Sequence, residues 1–485
     1  MLKNWKSIFL ALSLIPCMAA CTAKTGEEDK AEENIPKLTW IVPGSEQRDM
    51  ASVTEAINEI TVPRIGAKVD IQFVNETLYA DRMVMNIAMG SDFDLCFSGY
   101  LNSYVDSVQN GGYLDITDYL AESEKLKSIF PDYALEGLKM EGRIYAIPNM
   151  QILTRSTGLF IQKDLAEEYG LNPEEVHYLE DIEPMLEWVK QNKPDIYPFK
   201  TGRYGGGLKN ENLNQYSYSS EGIVAAYDSQ GNISFMPEFD ADDWSEGPKL
   251  LRRWYEKGYI RPDIADINDD ENEIYEKKYA VWRGAYKPGG EEEFNANYNF
   301  ECIAIQLTPE RLTNGAPSAC TAIGKNSKYP ELAFKLLEEV NTDPELFNLI
   351  AFGIEGKHYT KNADGKLHLK KDGGYLARGA WKFGNAFNSY ILEGQDKDVW
   401  SKTEQFNDNA KKMPINGWNF DRKSVRNEIN AITLIKKKYS VLSNGSEPLD
   451  NYIDGYIREL TEAGIYKVSE EAARQYEQWK KNNER

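Results

Sequence analysis

The chain has 485 residues, 41% of them apolar and 12% aromatic, with 77 acidic against 56 basic side chains and a formal net charge of −21. That length suits two or three domains with sizeable cores, and that charge excludes the basic surface a nucleic acid requires. A mean hydropathy of −0.58, without an apolar run of about 18 residues or more, excludes a polytopic membrane protein.

The first elements are not part of a fold. Lys3 and Lys6 form a short positive region, Ser7 to Ile15 is apolar but too short to span a bilayer, and Ala19 and Ala20 precede Cys21. This pattern predicts a signal peptide over residues 1–20. Met18-Ala19-Ala20-Cys21 resembles the bacterial lipobox, with Met18 where that pattern prefers Leu. The resemblance implies a lipid on Cys21. Residues 21–36 are polar, charged and poor in large apolar side chains, which predicts a flexible tether.

The folded body opens with a strand at Leu38–Val42 and a helical pattern through Ala51, Val53, Ala56 and Ile57. A second strand follows at Val69–Val74, a helix at Asp81–Met89 stopped by Gly90, and a third strand at Phe93–Ser98. Strand–helix–strand–helix–strand with short loops predicts a parallel α/β sheet. From Gly158 a second mixed unit begins, with strands at Leu159–Ile161 and Tyr279–Trp282 and helices at Asp164–Tyr169, Ile182–Lys190 and Leu250–Gly258. Ile223–Tyr227 and Ile233–Phe235, joined through Gly231, read as a β-hairpin. Ala333, Leu336, Leu337 and Val340 form one helical stripe. The last hundred residues are mostly helical, with stripes at Val425–Ile435 and Leu449–Leu460.

Little in the chain points to catalysis. His177, His358 and His368 are the three histidines, and none stands at metal-ligand spacing from another. His358 reads as structural, in a turn after a helix. Asp266-Ile267-Asn268-Asp269-Asp270 starts like a calcium loop, but Glu271 stands where glycine is required and Lys277 where a bidentate Glu belongs. It reads as a solvated acidic loop. Gly205-Gly206-Gly207 lacks the Lys-Ser/Thr of a phosphate loop. Among 77 acidic residues some carboxylate pairs always lie close, so glycoside hydrolysis stays open as an alternative. Besides Cys21 the folded body holds Cys96, Cys302 and Cys320. Cys302 and Cys320 either pair or remain buried thiols, and three cysteines build no disulfide framework.

Several segments, weak singly, are strong in their order. Met89-Gly90-Ser91-Asp92-Phe93-Asp94-Leu95, Gly112-Tyr113-Leu114-Asp115-Ile116-Thr117-Asp118-Tyr119-Leu120, Gly142-Arg143-Ile144-Tyr145-Ala146-Ile147-Pro148 and Leu159-Phe160-Ile161-Gln162-Lys163-Asp164-Leu165 resemble successive segments of extracellular solute-binding proteins, with Gln162 replacing the usual Asn. Gly353-Ile354-Glu355-Gly356-Lys357-His358-Tyr359 and Trp381-Lys382-Phe383-Gly384-Asn385 are similar to blocks of a subgroup of sugar-transporter lipoproteins with an uncharacterised C-terminal domain. The resemblance implies a two-lobed, periplasmic-binding-protein-like α/β fold with an interlobe cleft and a helix-rich C-terminal region. It implies capture of a sugar or oligosaccharide by hinge closure and delivery to the permease of an ABC importer, without enzyme activity, cofactor or metal. It further implies a monomer held by its lipid on the outer face of the cytoplasmic membrane. The alternative function is a secreted lipoprotein hydrolase or lyase. The expected domains are 37–150 with 300–350 as first lobe, 151–299 as second lobe, and 351–485 packed on the second lobe.

Ligands of open α/β sheets sit beyond the C-terminal strand ends. That rule nominates Ser45, Glu46 and Arg48 after the first strand and Tyr100 after the third. Asn149 and Gln151 are nominated at the crossing between lobes. In the second lobe Trp282 and Tyr286 flank Gly284, where the family often carries a ligand-facing aromatic. Trp40, inside a strand, is expected in the core, and Trp381 and Trp418 are expected to pack the C-terminal region.

Lipidation of Cys21 carries a direct test. Two acyl chains retain a protein on a membrane where one is marginal, so Cys21→Ser is expected to appear in the medium or as uncleaved precursor on fractionation and immunoblotting. Normal processing and retention of that variant would refute the lipobox assignment.

Overall fold

A computed structural model describes residues 35–483 apart from 155, 203–215, 219–220, 229, 243, 268–271, 299 and 313–318. The signal peptide, Cys21, most of the tether, Gly205–Gly207 and the acidic positions from Asn268 to Glu271 lie outside the described residues.

In chain order the first lobe opens with β1 (Lys37–Pro43), α1 (Met50–Ile65), β2 (Lys68–Val74), α2 (Glu76–Met89), β3 (Leu95–Gly99) and α3 (Tyr104–Gln109). β2 and β3 flank β1 in parallel register, as the alternation of strand and helix predicts. α2 is pinned by Tyr79, whose fully buried hydroxyl donates to the Phe97 carbonyl at 2.8 Å. A short β4 (Ala146–Pro148) ends the segment, and the chain then crosses to the second lobe.

There β5 (Thr157–Gln162), β6 (Tyr197–Phe199), β7 (Tyr216–Tyr218), β8 (Ile223–Tyr227), β9 (Ile233–Pro237), α4 (Glu246–Glu256), β10 (Tyr279–Ala285), α5 (Gly290–Asn297) and β11 (Cys302–Gln306) follow. β5, β6, β10 and β11 form one sheet in the order β11-β5-β10-β6. Strands β7 to β9 make a separate antiparallel sheet, with the expected hairpin between β8 and β9. The second core gathers Leu159, Ile161, Leu186, Val281 and Trp254.

After β12 (Arg311–Leu312) the chain returns as β13 (Ala319–Ile323), antiparallel to both β3 and β4. The first sheet therefore runs β2-β1-β3-β13-β4. α6 (Pro330–Thr342) and α7 (Pro344–Phe352) cover it, burying the stripe Ala333, Leu336, Leu337 and Val340. Each Leu and Val of the stripe contributes roughly 1.5–3 kcal/mol on burial.

Two expected boundaries are corrected. Residues 352–392 belong to the first core, where Phe352, Tyr375, Phe383 and Leu392 are buried. Likewise Cys302–Gln306 belongs to the second sheet, paired along β5. The chain crosses a third time through α8 (Val399–Asp408) and β14 (Lys411–Lys412), which pairs with β12. From Met413 onward α9 (Arg426–Lys438), α10 (Ile453–Glu462) and α11 (Ile465–Asn483) build a third core with Ile223, Ala225 and Tyr227 of β8. This body rests on α4, where Arg252 donates to the Ser446 carbonyl at 2.8 Å.

Side chains tie the crossings to one another. Asn407 accepts from the Leu153 amide and donates to the Gln151 carbonyl, both at 2.7 Å. Thr308 accepts from the Thr157 amide through its hydroxyl at 2.8 Å and from the Ser156 hydroxyl through its carbonyl at 2.6 Å. Cys96 and Cys320 lie in the first lobe and Cys302 in the second, all three buried and free.

The His358 block docks the end of α7 on the start of α1. Gly353 holds a φ of +77°, and a Cβ there would lie 2.3 Å from His358 Nδ1. Nδ1 accepts from the Ile354 amide at 2.8 Å, which leaves the proton on Nε2, 3.4 Å from the Asp49 carboxylate. Burial lowers the imidazole pKa below its ordinary value, against the opposing pull of Asp49. The unfolded chain thus binds the proton more readily, and stability falls as pH drops through the ordinary histidine range near 6.5. Thermal unfolding followed from pH 7.5 to 5.5 is expected to show this loss, and His358→Gln to flatten the profile while lowering Tm at pH 7.5. Parallel profiles for the two proteins would contradict the assignment.

Candidate functional site

The C-terminal ends of β1, β2 and β3 are crossed by residues 375–383, which return from the last quarter of the chain. Apolar contact holds this segment from below, since Phe383 packs edge-on against Trp40 and Phe73 at 6.0 and 6.3 Å between ring centroids. Polar contact fixes it from the side. Lys382, 4% exposed, donates to the Glu76 carboxylate at 2.9 Å and to the Pro43 carbonyl at 3.2 Å. Asn149 is fully buried; its amide donates to the carbonyls of Trp381 (3.0 Å) and Lys382 (2.9 Å) and accepts from the Thr321 hydroxyl at 2.8 Å.

With its backbone held, the Trp381 indole lies against Phe97 and Tyr100, at 5.9 and 5.8 Å. Tyr100 is 53% exposed. The result is an aromatic pair at the cleft end of the first sheet. Beside it Ser45, Glu46 and Arg48 are exposed on the loop after β1. Gln47 is buried instead and shapes that loop, donating to the Ser45 carbonyl and accepting from the Leu376 amide. Arg48 donates to the Asp372 carbonyl at 3.0 Å.

Four of the sequence nominations are exposed at the ends of neighbouring strands: Ser45, Glu46 and Arg48 after β1 and Tyr100 after β3. The others have different surroundings. Asn149 has its amide group committed to the protein. Gln151 is 8% exposed and its carbonyl is bonded by Asn407. It lines a partly open pocket between the lobes with Lys287, Asn297, Arg378 and Trp381, whose free space of about 30 Å³ suits one or two waters.

Trp282 corrects the expectation most clearly. It is 6% exposed and stacks on Phe160 at 6.0 Å with an interplanar angle of 14°. Phe294 and Phe300 close around it. Gly284 serves that cluster rather than a ligand, because a Cβ there would lie 2.7 Å from the Phe160 ring. Tyr286 is half-buried between Gly158 and Phe406 of α8, and burial raises its phenol pKa. Arg283, on the opposite face of β10, has its pKa lowered to about 10 by burial.

Trp381, expected to pack the C-terminal region, is half-buried and packs instead on the first core. Its placement depends on contacts with Asn149 and Phe97, 232 and 284 positions away, and no local pattern reveals them. Opposite it the lobes touch: the Arg378 guanidinium lies 4.8 Å over the Tyr298 ring, and Lys371 donates to the Tyr298 carbonyl. An aromatic face beside carboxylate, guanidinium and hydroxyl groups suits a ligand with an apolar face and a hydroxyl rim. Among the described residues no group of three His, Cys, Asp or Glu is placed to hold a metal ion.

Comparison with known proteins matches residues 414–481 to a family described as a domain of unknown function (DUF3502). Over 508 aligned positions, 99% of this chain and 100% of the relative, the chain is 27% identical to a carbohydrate ABC transporter substrate-binding protein of Streptococcus pneumoniae. It is 21% identical, over 75% of each chain, to the polygalacturonan/rhamnogalacturonan-binding protein YtcQ of Bacillus subtilis. The crystal structure of an N-glycan transport solute-binding protein from Streptococcus pneumoniae in complex with Man1GlcNAc superposes with a TM-score of 0.80. That match is 25% identical and covers 91% of this chain and 99% of that one. An extracellular solute-binding protein from Bifidobacterium longum subsp. infantis, 16% identical with a TM-score of 0.58 over 92% and 98% of the two chains, shares the fold. The fold is the two-lobed α/β architecture of solute-binding proteins.

Burial separates the aromatic candidates by experiment. Trp282→Ala is expected to cost about 3–5 kcal/mol of stability, as for other buried large-to-small changes, whereas Tyr100→Ala should change it by less than about 1 kcal/mol. Chemical denaturation of the two variants measures both, and equal losses would place Tyr100 in the core.

Proposed function

We propose that this chain is the sugar receptor of an ABC importer, capturing a sugar or oligosaccharide between its lobes and delivering it to the permease. The observation that carries this reading is the near full-length correspondence, in sequence and in fold, to a transport protein whose structure holds a glycan fragment. The Tyr100–Trp381 pair supports it, since a sugar stacks its C–H face on an aromatic ring and turns its hydroxyls to the rim. Ser45, Glu46 and Arg48 are the rim groups in this reading.

Hinge motion about the three crossings closes the lobes on the ligand. A solute held at about micromolar affinity releases roughly 8 kcal/mol, enough to bias an open–closed equilibrium of a few kcal/mol. The protein works as a monomer, lipid-anchored through Cys21 on the outer face of the cytoplasmic membrane, with residues 21–36 as its tether. Binding rather than turnover is its activity, and neither cofactor nor metal takes part.

An oligosaccharide panel including Man1GlcNAc and oligogalacturonides, screened by calorimetry and by product analysis, tests the proposal. Stoichiometric binding without product is expected, and release of product would replace the receptor with an enzyme. Trp381→Ala is expected to weaken the tightest member of the panel by about 1–3 kcal/mol and, because the indole is only half-buried against the first core, to lower Tm less than Trp282→Ala does. Undiminished affinity in that variant would move the site elsewhere in the cleft.

A further inference from the structure

The C-terminal body does more than pack on the second lobe. Its segment 419–426, just after the third crossing, reaches the first lobe. Arg422 pairs with the Asp106 carboxylate on α3 and approaches the hydroxyl of Ser103, the N-cap of that helix, at 3.5 Å. The same guanidinium pairs with Glu221, 5% exposed, in the turn before β8. Arg426 donates to the Asn110 side chain at 3.3 Å, and Asn419 donates to the carbonyls of Gly137 and Lys139 at 3.3 and 3.2 Å. One short segment thus makes polar contact with α3 and with the 137–139 turn of the first lobe, while its own body is built on β8 and α4.

We propose that the domain of unknown function is an interlobe strap, in which Arg422 couples Asp106 of the first lobe to Glu221 of the third core and so sets the balance between open and closed lobes. This rests on the receptor reading, in which lobe closure is the working motion. The chemistry favours a coupling role over a purely stabilising one. Asp106 is 41% exposed and Glu221 nearly buried, so the guanidinium is held firmly on one body and reversibly on the other. A pair with one hydrated end is weakened by salt and remade easily, whereas a pair buried at both ends opens rarely. Arg suits the position because its planar fork presents separate nitrogens to two carboxylates.

The test uses the full mature chain with Arg422→Gln, Asp106→Asn and the double variant. Small-angle scattering without ligand, at 50 mM and 1 M sodium chloride, reads the lobe separation. Calorimetry with the panel oligosaccharide that binds wild type reads the coupling. The wild type is expected to expand with salt, and both single variants to be expanded and salt-insensitive. Each should bind three- to tenfold more weakly, and the double variant no more weakly than either. Superimposable scattering curves for all four proteins at both salt concentrations, or additive losses of affinity in the double variant, would overturn the strap. If Arg422→Gln fails to fold, Asp106→Asn carries the same comparison alone. A wild type that binds no oligosaccharide would refute the receptor reading, while the scattering arm would still decide the strap.

Discussion

One buried amide organises the cleft end of the first lobe. Asn149 joins three stretches of chain that are far apart in sequence, reaching Thr321 at a separation of 172 residues and Trp381 at 232. Its donors and its acceptor are all used, so it resides without penalty where no water reaches. The Trp381 and Lys382 carbonyls would otherwise face an apolar interior, and an unmade bond there costs about 1–3 kcal/mol. Because those carbonyls are fixed, the backbone that bears the indole has a fixed place. The aromatic face at the cleft therefore depends on a buried residue whose own amide is committed to the protein.

Buried charge is used in the same way at two distant points. Lys382 is held by Glu76 and the Pro43 carbonyl beneath the return segment. Glu238, 5% exposed, accepts from the Tyr456 hydroxyl at 2.7 Å and from Lys436 at 3.0 Å beneath the C-terminal body. Such pairs add little net stability, since desolvation offsets most of the attraction. Their value lies in position, because a misplaced segment would strand the charge. Apolar cores supply the cohesion, and these pairs fix where the late segments dock.

How much of this was legible in the sequence follows from the range of the interactions. Elements whose pattern is local were readable: β1, β2 and β3 with their helices, the hairpin of β8 and β9, and the stripe of α6. β4 and β13 left no signal, being short and rich in small residues such as Ala319, Cys320 and Ala322. The sheet neighbours of these strands alone make them strands. The strand-end rule nominated Ser45, Glu46, Arg48 and Tyr100, and all four are exposed after their strands. Trp282 misled because even spacing around a glycine describes both a ligand platform and an aromatic core. Phe160, stacked on Trp282 and pressed against Gly284, decides between them, and it stands 122 positions before Trp282. The division at 351 failed for a related reason. A rise in helix content marks the C-terminal body, yet residues 352–392 carry the aromatics that finish the first core.

The threading of the cores imposes an order on folding. Of these three cores the second draws on the shortest span of chain, from Leu159 to Ile305. The first waits for partners as late as Leu392, and β8 waits for residues beyond Met413. A chain emerging from its N-terminus therefore exposes the apolar faces of β1 to β3 through most of its synthesis, while the inserted lobe is already able to condense. Long-range closure of this kind slows folding. The lobe that begins the sequence is among the last to become a structure.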